Sequence, residues 1–501
     1  MSDSDILLNP NELVSFLRKP ASRFTMQDIV RFVEEKGIRM LNFRYVAEDG
    51  KLKTLNFAIS GKDYLETVLT SGERIDGSSL FSSIEAGSSD LYVVPKYRTA
   101  FVNPFEETPT LDMLCSFYDN QGNPLESDPG NILRKANRRF REATGFNFKA
   151  LGELEYYVIS ETEDIYPPVD QKGYHSCKPF AKWEDLRSEA LLLIAAAGGK
   201  TKYGHAEVGS FAENGKLYEQ HEIEFLPCDP EDAVDQLVVA KWIMRMLAYS
   251  YGVEISFAPK ITVGKAGSGM HVHAYLEKDG KNMMVENGQL SDNAKKMIAG
   301  WLDCAKALSA FGNTIPTSYL RLVPHQEAPT NICWGDRNRS VLVRVPLGWH
   351  GAKDMIKDAN PGVCDKFPDP GEKQTIEVRS PDGSADLYGL MAALVVAAQH
   401  GIEMEDALER AEKLYVGVNI FREEHREEME RLDSLPASCV ESAEALEAKR
   451  EVFEKDGVFP ASLINSVIKR LKSYNDRDLS EKLYGKKEEI GKLVEKYLHC
   501  M

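Results

Sequence analysis

Four stretches of this chain each place two ionisable residues one position apart. They are Glu153 and Glu155 in GELEYYV, Glu222 and Glu224 in EQHEIEF, His271 and His273 in GMHVHAYL, and Glu377 and Arg379 in TIEVRSPD. Branched and aromatic apolar residues lie between and around them, so each stretch reads as a β-strand. Successive strand side chains point to opposite faces, so each pair shares one face. Like charges held that close repel unless a cation or a proton compensates them. GHAEVG adds His205 and Glu207 to the set. Taken singly, an acidic pair is more often a solvated strand face. The recurrence, with imidazoles alternating among carboxylates, favours a metal site. Carboxylates with an imidazole suit a hard cation such as Mg2+ or Mn2+ better than Zn2+.

Between these strands lie two other chemical features. Gly264, Gly267 and Gly269 precede the histidines and allow backbone to approach an anion closely, although the segment does not match the GxxxxGK[ST] loop. The segment YLRLVPHQEAPTNICWGDRNRSVLVRVP carries Arg321, Glu327, Arg337, Arg339 and Arg344. Arginine donates two parallel bonds to a carboxylate or phosphate. Such arginines also pair with acidic surface, but acidic strands and arginines together suit a reaction that gathers a nucleotide, metals and a carboxylate substrate.

Bulk properties narrow the field. The chain has 501 residues, long enough for two or three domains, with 78 acidic against 61 basic residues and a net charge of −17. That balance argues against nucleic acid or an anionic membrane as partner. The eight cysteines are scattered without a CxxC pair, which suits reduced thiols and neither a zinc cluster nor a disulfide frame. The N-terminus lacks a signal-peptide pattern, and the apolar runs LLLIAAAGG and LMAALVVAA are too short to span a bilayer. A cytoplasmic protein is expected.

The fold class expected is α+β. Residues 1–23 read as an N-terminal helical extension. Residues 24–124 read as a small domain with the strands IRMLNFRYV, KLKTLNFAI, LYVVP and TLDMLCSFY. The turn-rich DNQGNPLESDPG marks a boundary, and residues 125–501 read as a large domain of strands and long helices. From about Met391 the tail reads as helical and charged.

In order along the chain, DGSS at Asp76–Ser79, GELEYYV, KGYH at Tyr174, HAEV, QHEIEF, APK…GSGMHVH, RLVP..EAP, RNRS…RVP and IEVRSPD resemble the glutamine synthetases of the bacterial and archaeal type. The resemblance implies a β-grasp N-terminal domain and a catalytic domain whose antiparallel strands form a funnel surrounded by helices. It implies glutamate, ammonium and ATP as substrates, with γ-glutamyl phosphate as intermediate and two or more Mg2+ or Mn2+ ions per site. Glu155, Glu207 and Glu222 then hold one metal; Glu153, His271 and Glu377 hold the other. Arg339, Arg344 and His273 bind ATP, with Arg339 also catalytic. Tyr174, Gly267, Arg321 and Arg379 serve substrate binding. Glu327 closes the site and takes a proton, and Asp76 binds and deprotonates ammonium in a neighbouring subunit. A dodecamer of two hexameric rings is implied. An organic amine in place of ammonia is the alternative within the family.

The chain also departs from the family pattern. Ala266 stands where an asparagine is common, Ala274 and Tyr275 replace a serine neighbourhood, and His325 and Gln326 precede Glu327. Thr375 stands at a common arginine position, with Lys373 as a substitute. FAENGKLYE is an insertion expected to form a variant loop at the metal rim; residues 349–374 form another. Asp433 occupies the position of the adenylylation tyrosine of some members, so that regulation is not expected. The C-terminal EEIGKLVEKYLHCM lacks the aromatic tail that locks some rings together.

Overall fold

Apolar runs between residues 40 and 118 pair into the first sheet. Its strands are β1 (Met40–Val46), β2 (Leu52–Ala58), β3 (Glu73–Asp76), β4 (Asp90–Pro95), β5 (Phe101–Val102) and β6 (Thr110–Tyr118). Their order is β2-β1-β6-β4-β3, with β5 on β6 and β1 parallel to β6. The structure is a computed structural model and describes residues 3–82, 84, 87, 89–323, 328–348, 352–362, 372–420 and 422–500. Helix Met26–Lys36 begins at Thr25, which forms a capping box with Asp28 and satisfies the first-turn amides. Its Ile29, Phe32 and Val33 share one core with Phe43, Val93 and Met113. Ile6, Leu13 and Val14 of the N-terminal helices lie in that same core, and the Asn11 amide donates to Ala100 O at 3.2 Å. The first helices are thus packed into the small domain rather than appended to it.

The second sheet is built from β7 (Asn147–Glu161), β8 (Thr201–Glu213), β9 (Lys216–Phe225), β10 (Glu254–Ser256), β11 (Met270–Lys278), β12 (Lys281–Asn282), β15 (Trp334–Asp336), β16 (Val343–Val345) and β17 (Ile376–Val378). Its order is β15-β16-β17-β11-β7-β9-β8, antiparallel except for β15 with β16. A separate hairpin pairs β13 (Val285–Glu286) with β14 (Gln289–Leu290). FAENGKLYE is not a loop at the metal rim. It extends β8 and β9 into a hairpin closed by Asn214 and Gly215, both at positive φ, the conformation that matches strand twist in a two-residue turn.

Long helices pack on this sheet in one large core. The tail expected to be charged from Met391 instead begins as helix Leu387–Glu403, whose Leu390, Ala393, Leu394 and Ala397 are fully buried. It is apolar on nearly every side, as a central helix must be. Gly300 and Gly401 let it touch helix Asp292–Asp303: a Cβ on Gly300 would sit 2.1 Å from Ala397 O. No single described helix is long and apolar enough to cross a membrane.

Polar contacts join the two sheets' domains. Buried Asp112 pairs with Arg44 at 2.7 Å, and that guanidinium lies 4.6 Å from the Trp242 ring of helix Pro230–Tyr251. Asp235 of the same helix accepts from Lys96 at 2.8 Å and Arg98 at 2.9 Å. Near the other end of the chain, Ser466 donates to Glu48 Oε1 at 2.6 Å, and Arg470 donates to Glu48 O at 3.2 Å.

Candidate active site

The register of the second sheet sets its ionisable pairs in rows. Tyr203 on β8 lies opposite Glu224 on β9, Glu224 opposite Glu153 on β7, and Glu153 opposite His271 on β11. One step along, His205 lies opposite Glu222, and Glu222 opposite Glu155. His273 lies opposite Glu377 on β17, and Glu377 opposite Arg344 on β16. Alternation keeps these side chains on one face, and they line a cavity of about 1300 Å³.

Two clusters stand out. The Glu153 carboxylate is shared by both histidines: Oε2 lies 3.0 Å from His271 Nδ1 and Oε1 lies 2.9 Å from His273 Nε2. His271 Nδ1 is also 3.5 Å from Glu377 Oε1. In the second cluster His205 stands 3.4 Å from Glu222 and 3.7 Å from Glu207. In each of Glu153–His273–Glu377 and His205–Glu207–Glu222, one ligand atom per residue falls within 4.8 Å of the others. Glu155 joins through His271, whose Nε2 is 4.0 Å from Glu155 Oε1.

Electrostatics distinguish the two groups. Burial works against Glu153 ionising, but His273 and His271 outweigh it and hold the carboxyl well below the ordinary range. At Glu222, although His205 is near, burial, then Glu153, Glu155, Glu207 and Glu224, push the pKa well above that range. Glu224 Oε2 is buried without a hydrogen bond. Carboxylates crowded on one buried face beside imidazoles are relieved by a divalent cation, so the donor set fits Mg2+ or Mn2+.

Next to Glu377 the cavity lining becomes cationic. Glu377, 1% exposed, accepts from Arg344 Nη1 at 2.8 Å and Arg379 Nε at 3.1 Å. Arg379 also donates to the Arg339 carbonyl, and exposed Arg339 lines the cavity. His273 Nδ1 lies 3.0 Å from Thr375 Oγ1, so the departure at Thr375 contacts this group directly. Lys373 lines the same cavity.

Other sequence-predicted residues stand elsewhere. Tyr174 lines the cavity, half exposed, its ring stacked 4.2 Å from His175 and edge-on to His205 at 5.6 Å. Gly267 and Arg321 are not among the lining residues. Arg321 sits behind the glycine wall, donating to Ser380 O at 2.8 Å and Arg379 O at 3.2 Å. A Cβ on Gly269 would fall 2.6 Å from Arg321 Nη2 and 2.7 Å from His271 Nε2, so any larger residue there would displace both side chains. Ala266 is buried, its N–H bonded to Gln171 and its carbonyl to Tyr157. Asp76 is exposed in the small domain and does not line this cavity. Hydroxyls of Ser79, Ser78 and Ser89 and the Ser78 amide lower its pKa to about 2. Glu327 lies outside the described residues, as do His325 and Gln326.

The sequence reading left Gln220, Lys202 and Tyr203 unassigned. Gln220 alternates with Glu222 and Glu224, so the same periodicity already placed it on the acidic face. A further cluster, Asp303, Cys304 and His400, is an ion-pair hub, because Arg410 and Lys449 also hold Asp303 at 3.0 and 2.6 Å.

Comparison with known proteins gives the lineage. Residues 126–483 match the family described as the glutamine synthetase catalytic domain, and residues 37–120 match the glutamine synthetase beta-grasp domain. A glutamine synthetase of Frankia alni is 30% identical over 476 residues, covering 88% of this chain and 93% of that protein. One from Thermotoga maritima is 29% identical, covering 91% and 96%. The Plasmodium falciparum glutamine synthetase structure has a TM-score of 0.73 at 20% identity, covering 92% of this chain and 97% of that one. A structure titled apo GmaS has a TM-score of 0.72 at 20% identity, covering 90% and 96%. These matches, which span both domains and every row of the acidic sheet, make this chain a member of the glutamine synthetase family of ATP-dependent ligases.

Proposed function

We propose that the chain joins ammonia to the γ-carboxylate of L-glutamate through γ-glutamyl phosphate, giving L-glutamine, ADP and phosphate. One observation carries this reading: a single cavity is lined both by carboxylate–imidazole clusters and, next to Glu377, by Arg339, Arg344 and Arg379. Phosphoryl transfer between ATP and a carboxylate brings two anions together, so positive charge is needed around both.

Divalent cations, once bound, supply charge that cancels this repulsion without proton transfer. Glu155, Glu207 and Glu222 hold one, and Glu153, His271 and Glu377 the other. Arg339 and Arg344, with His273, bind and orient the ATP phosphates. Arg379 engages the glutamate carboxylate, and Arg321 fixes it from behind through the Arg379 carbonyl. Asp76 of a neighbouring subunit takes a proton from ammonium beside Tyr174, and ammonia then displaces phosphate from the acyl carbon. Glu327 receives the proton that the new C–N bond releases. The working particle on this reading is a cytoplasmic dodecamer of two hexameric rings.

Phosphate release from ATP and glutamate, measured with ammonium, methylamine or a polyamine and with or without Mg2+, tests the proposal. Turnover with ammonium that depends on Mg2+ is expected. Turnover only with an organic amine would establish the alternative, a γ-glutamyl-amine ligase, a reading that the Ala266 departure favours.

A further inference from the structure

We propose that Gln220 is a positioning residue that locks the glutamate-side glycine wall to the carboxylate of Glu155; this rests on the ligase reading above. Gln220 is 2% exposed and lies opposite Tyr157 in the β7–β9 register. Its carboxamide oxygen accepts from Gly209 N–H at 2.9 Å. Its NH2 group donates to Gly267 O at 2.9 Å, Ser268 Oγ at 3.3 Å and Glu155 Oε2 at 3.3 Å. Gly209 N–H can only donate and Gly267 O can only accept, so the orientation of the amide is forced.

These bonds join three elements of the site. Gly209 lies where the β8–β9 register shifts, between Ala206 and Ser210, the same irregularity that contains Glu207. Gly267 belongs to the wall before His271, whose Gly269 N–H donates to Glu155 Oε2 at 2.6 Å. Oε2 of Glu155 therefore receives two N–H donors, which leaves Oε1, 4.0 Å from His271 Nε2, as the oxygen that would face a cation once one binds. One side chain fixes the bulge, the wall and the ligand oxygen together.

Two substitutions in the full-length enzyme separate this role from a merely structural one. Gln220→Met keeps the length but removes donor and acceptor. Gln220→Glu keeps the acceptor for Gly209 and loses the donor for Gly267. Mn2+ titrated calorimetrically without nucleotide is expected to bind Gln220→Met about tenfold more weakly or worse, the usual loss when a ligand's hydrogen-bonded support is removed. Both variants are expected to raise the glutamate KM about tenfold while the ATP KM moves less than about twofold. Wild-type Mn2+ affinity in Gln220→Met, or equal rises in the two KM values, would overturn the proposal. If Gln220→Met does not fold, the KM split in Gln220→Glu decides alone. Should the wild-type enzyme itself show no glutamate-dependent phosphate release, the ligase reading fails, while the Mn2+ titration still judges Gln220.

Discussion

Glu222 stands directly across from Glu155 in the β7–β9 register, and both belong to the same crowded acidic face. Burial and four neighbouring carboxylates keep Glu222 far more willing to hold a proton than an ordinary glutamate.

The sign of the resulting pH dependence follows directly. A carboxyl whose folded pKa lies above its unfolded value adds stability at low pH and loses it as pH rises through the folded pKa. Metal-free protein should therefore lose melting temperature as pH is raised from about 5 toward 8, an effect smaller in Glu222→Gln. Saturating Mg2+ should remove the difference in the wild type and not in the variant. Differential scanning fluorimetry across this range checks both.

Lys241 gives the opposite slope at higher pH. It is fully buried and donates to Gly383 O at 2.7 Å; burial, then Arg245, lower its pKa to about 7 from 10.5. Between those values the unfolded chain holds a proton that the folded chain has lost, so stability rises with pH there. Lys241→Met should flatten the melting temperature between about pH 7 and 10. Unchanged steepness in that variant would reassign the slope to another group.

Asp303 is held far below the ordinary carboxylate range, first by His400, then by Lys449 and Arg410. Its pKa is lowered, so this stability is present above the unfolded value near 3.8 and disappears on acidification. Asp303→Asn should cost about 1–2 kcal/mol near neutral pH, discounted because its partners are partly exposed, and less below about pH 4. Urea titration at two pH values measures it.

If Asp76 serves a neighbouring subunit, two dead enzymes can rescue each other. Asp76→Asn and Glu377→Gln subunits should each be nearly inactive. Mixed by denaturation and refolding, they should recover up to about a quarter of wild-type turnover, since some interfaces then carry both intact residues. Recovery absent in assembled mixed rings would place Asp76 in its own subunit's chemistry.

Period-2 alternation made the acidic face legible in the sequence, because register in a half-buried sheet follows from which residues must face inward. It put Glu153, Glu155, Glu222, His271, His273 and Glu377 around one cavity. It did not say which histidine leans on Glu153, since both do, and that depends on strand twist and rotamers. Arg321, given a substrate-binding role by the resemblance, stands behind the wall, where the lack of side chains at Gly267 and Gly269 leaves it room. Helix Leu387–Glu403 contains the apolar run LMAALVVAA, plain in the sequence, but a run of that length does not say whether its helix lies at the core or at the start of a charged tail. By their branched and aromatic residues VEISFAPKIT and SVLVRVPL both read as strands along most of their length. Only Glu254–Ser256 and Val343–Val345 pair, as the chain must leave the sheet at Pro259 and Pro346, which lack the amide a ladder needs.

The contact of Glu48 with Ser466 spans 418 positions of sequence. A ribosome must release helix Ala461–Ser473 before this bond can form, so the small domain waits for a helix made long after it to fix its seat. Trimming the chain before Ala461 would leave the catalytic strands complete while loosening the domain at the opposite end of the sequence, and any residue that domain lends to a neighbour would be aimed less well.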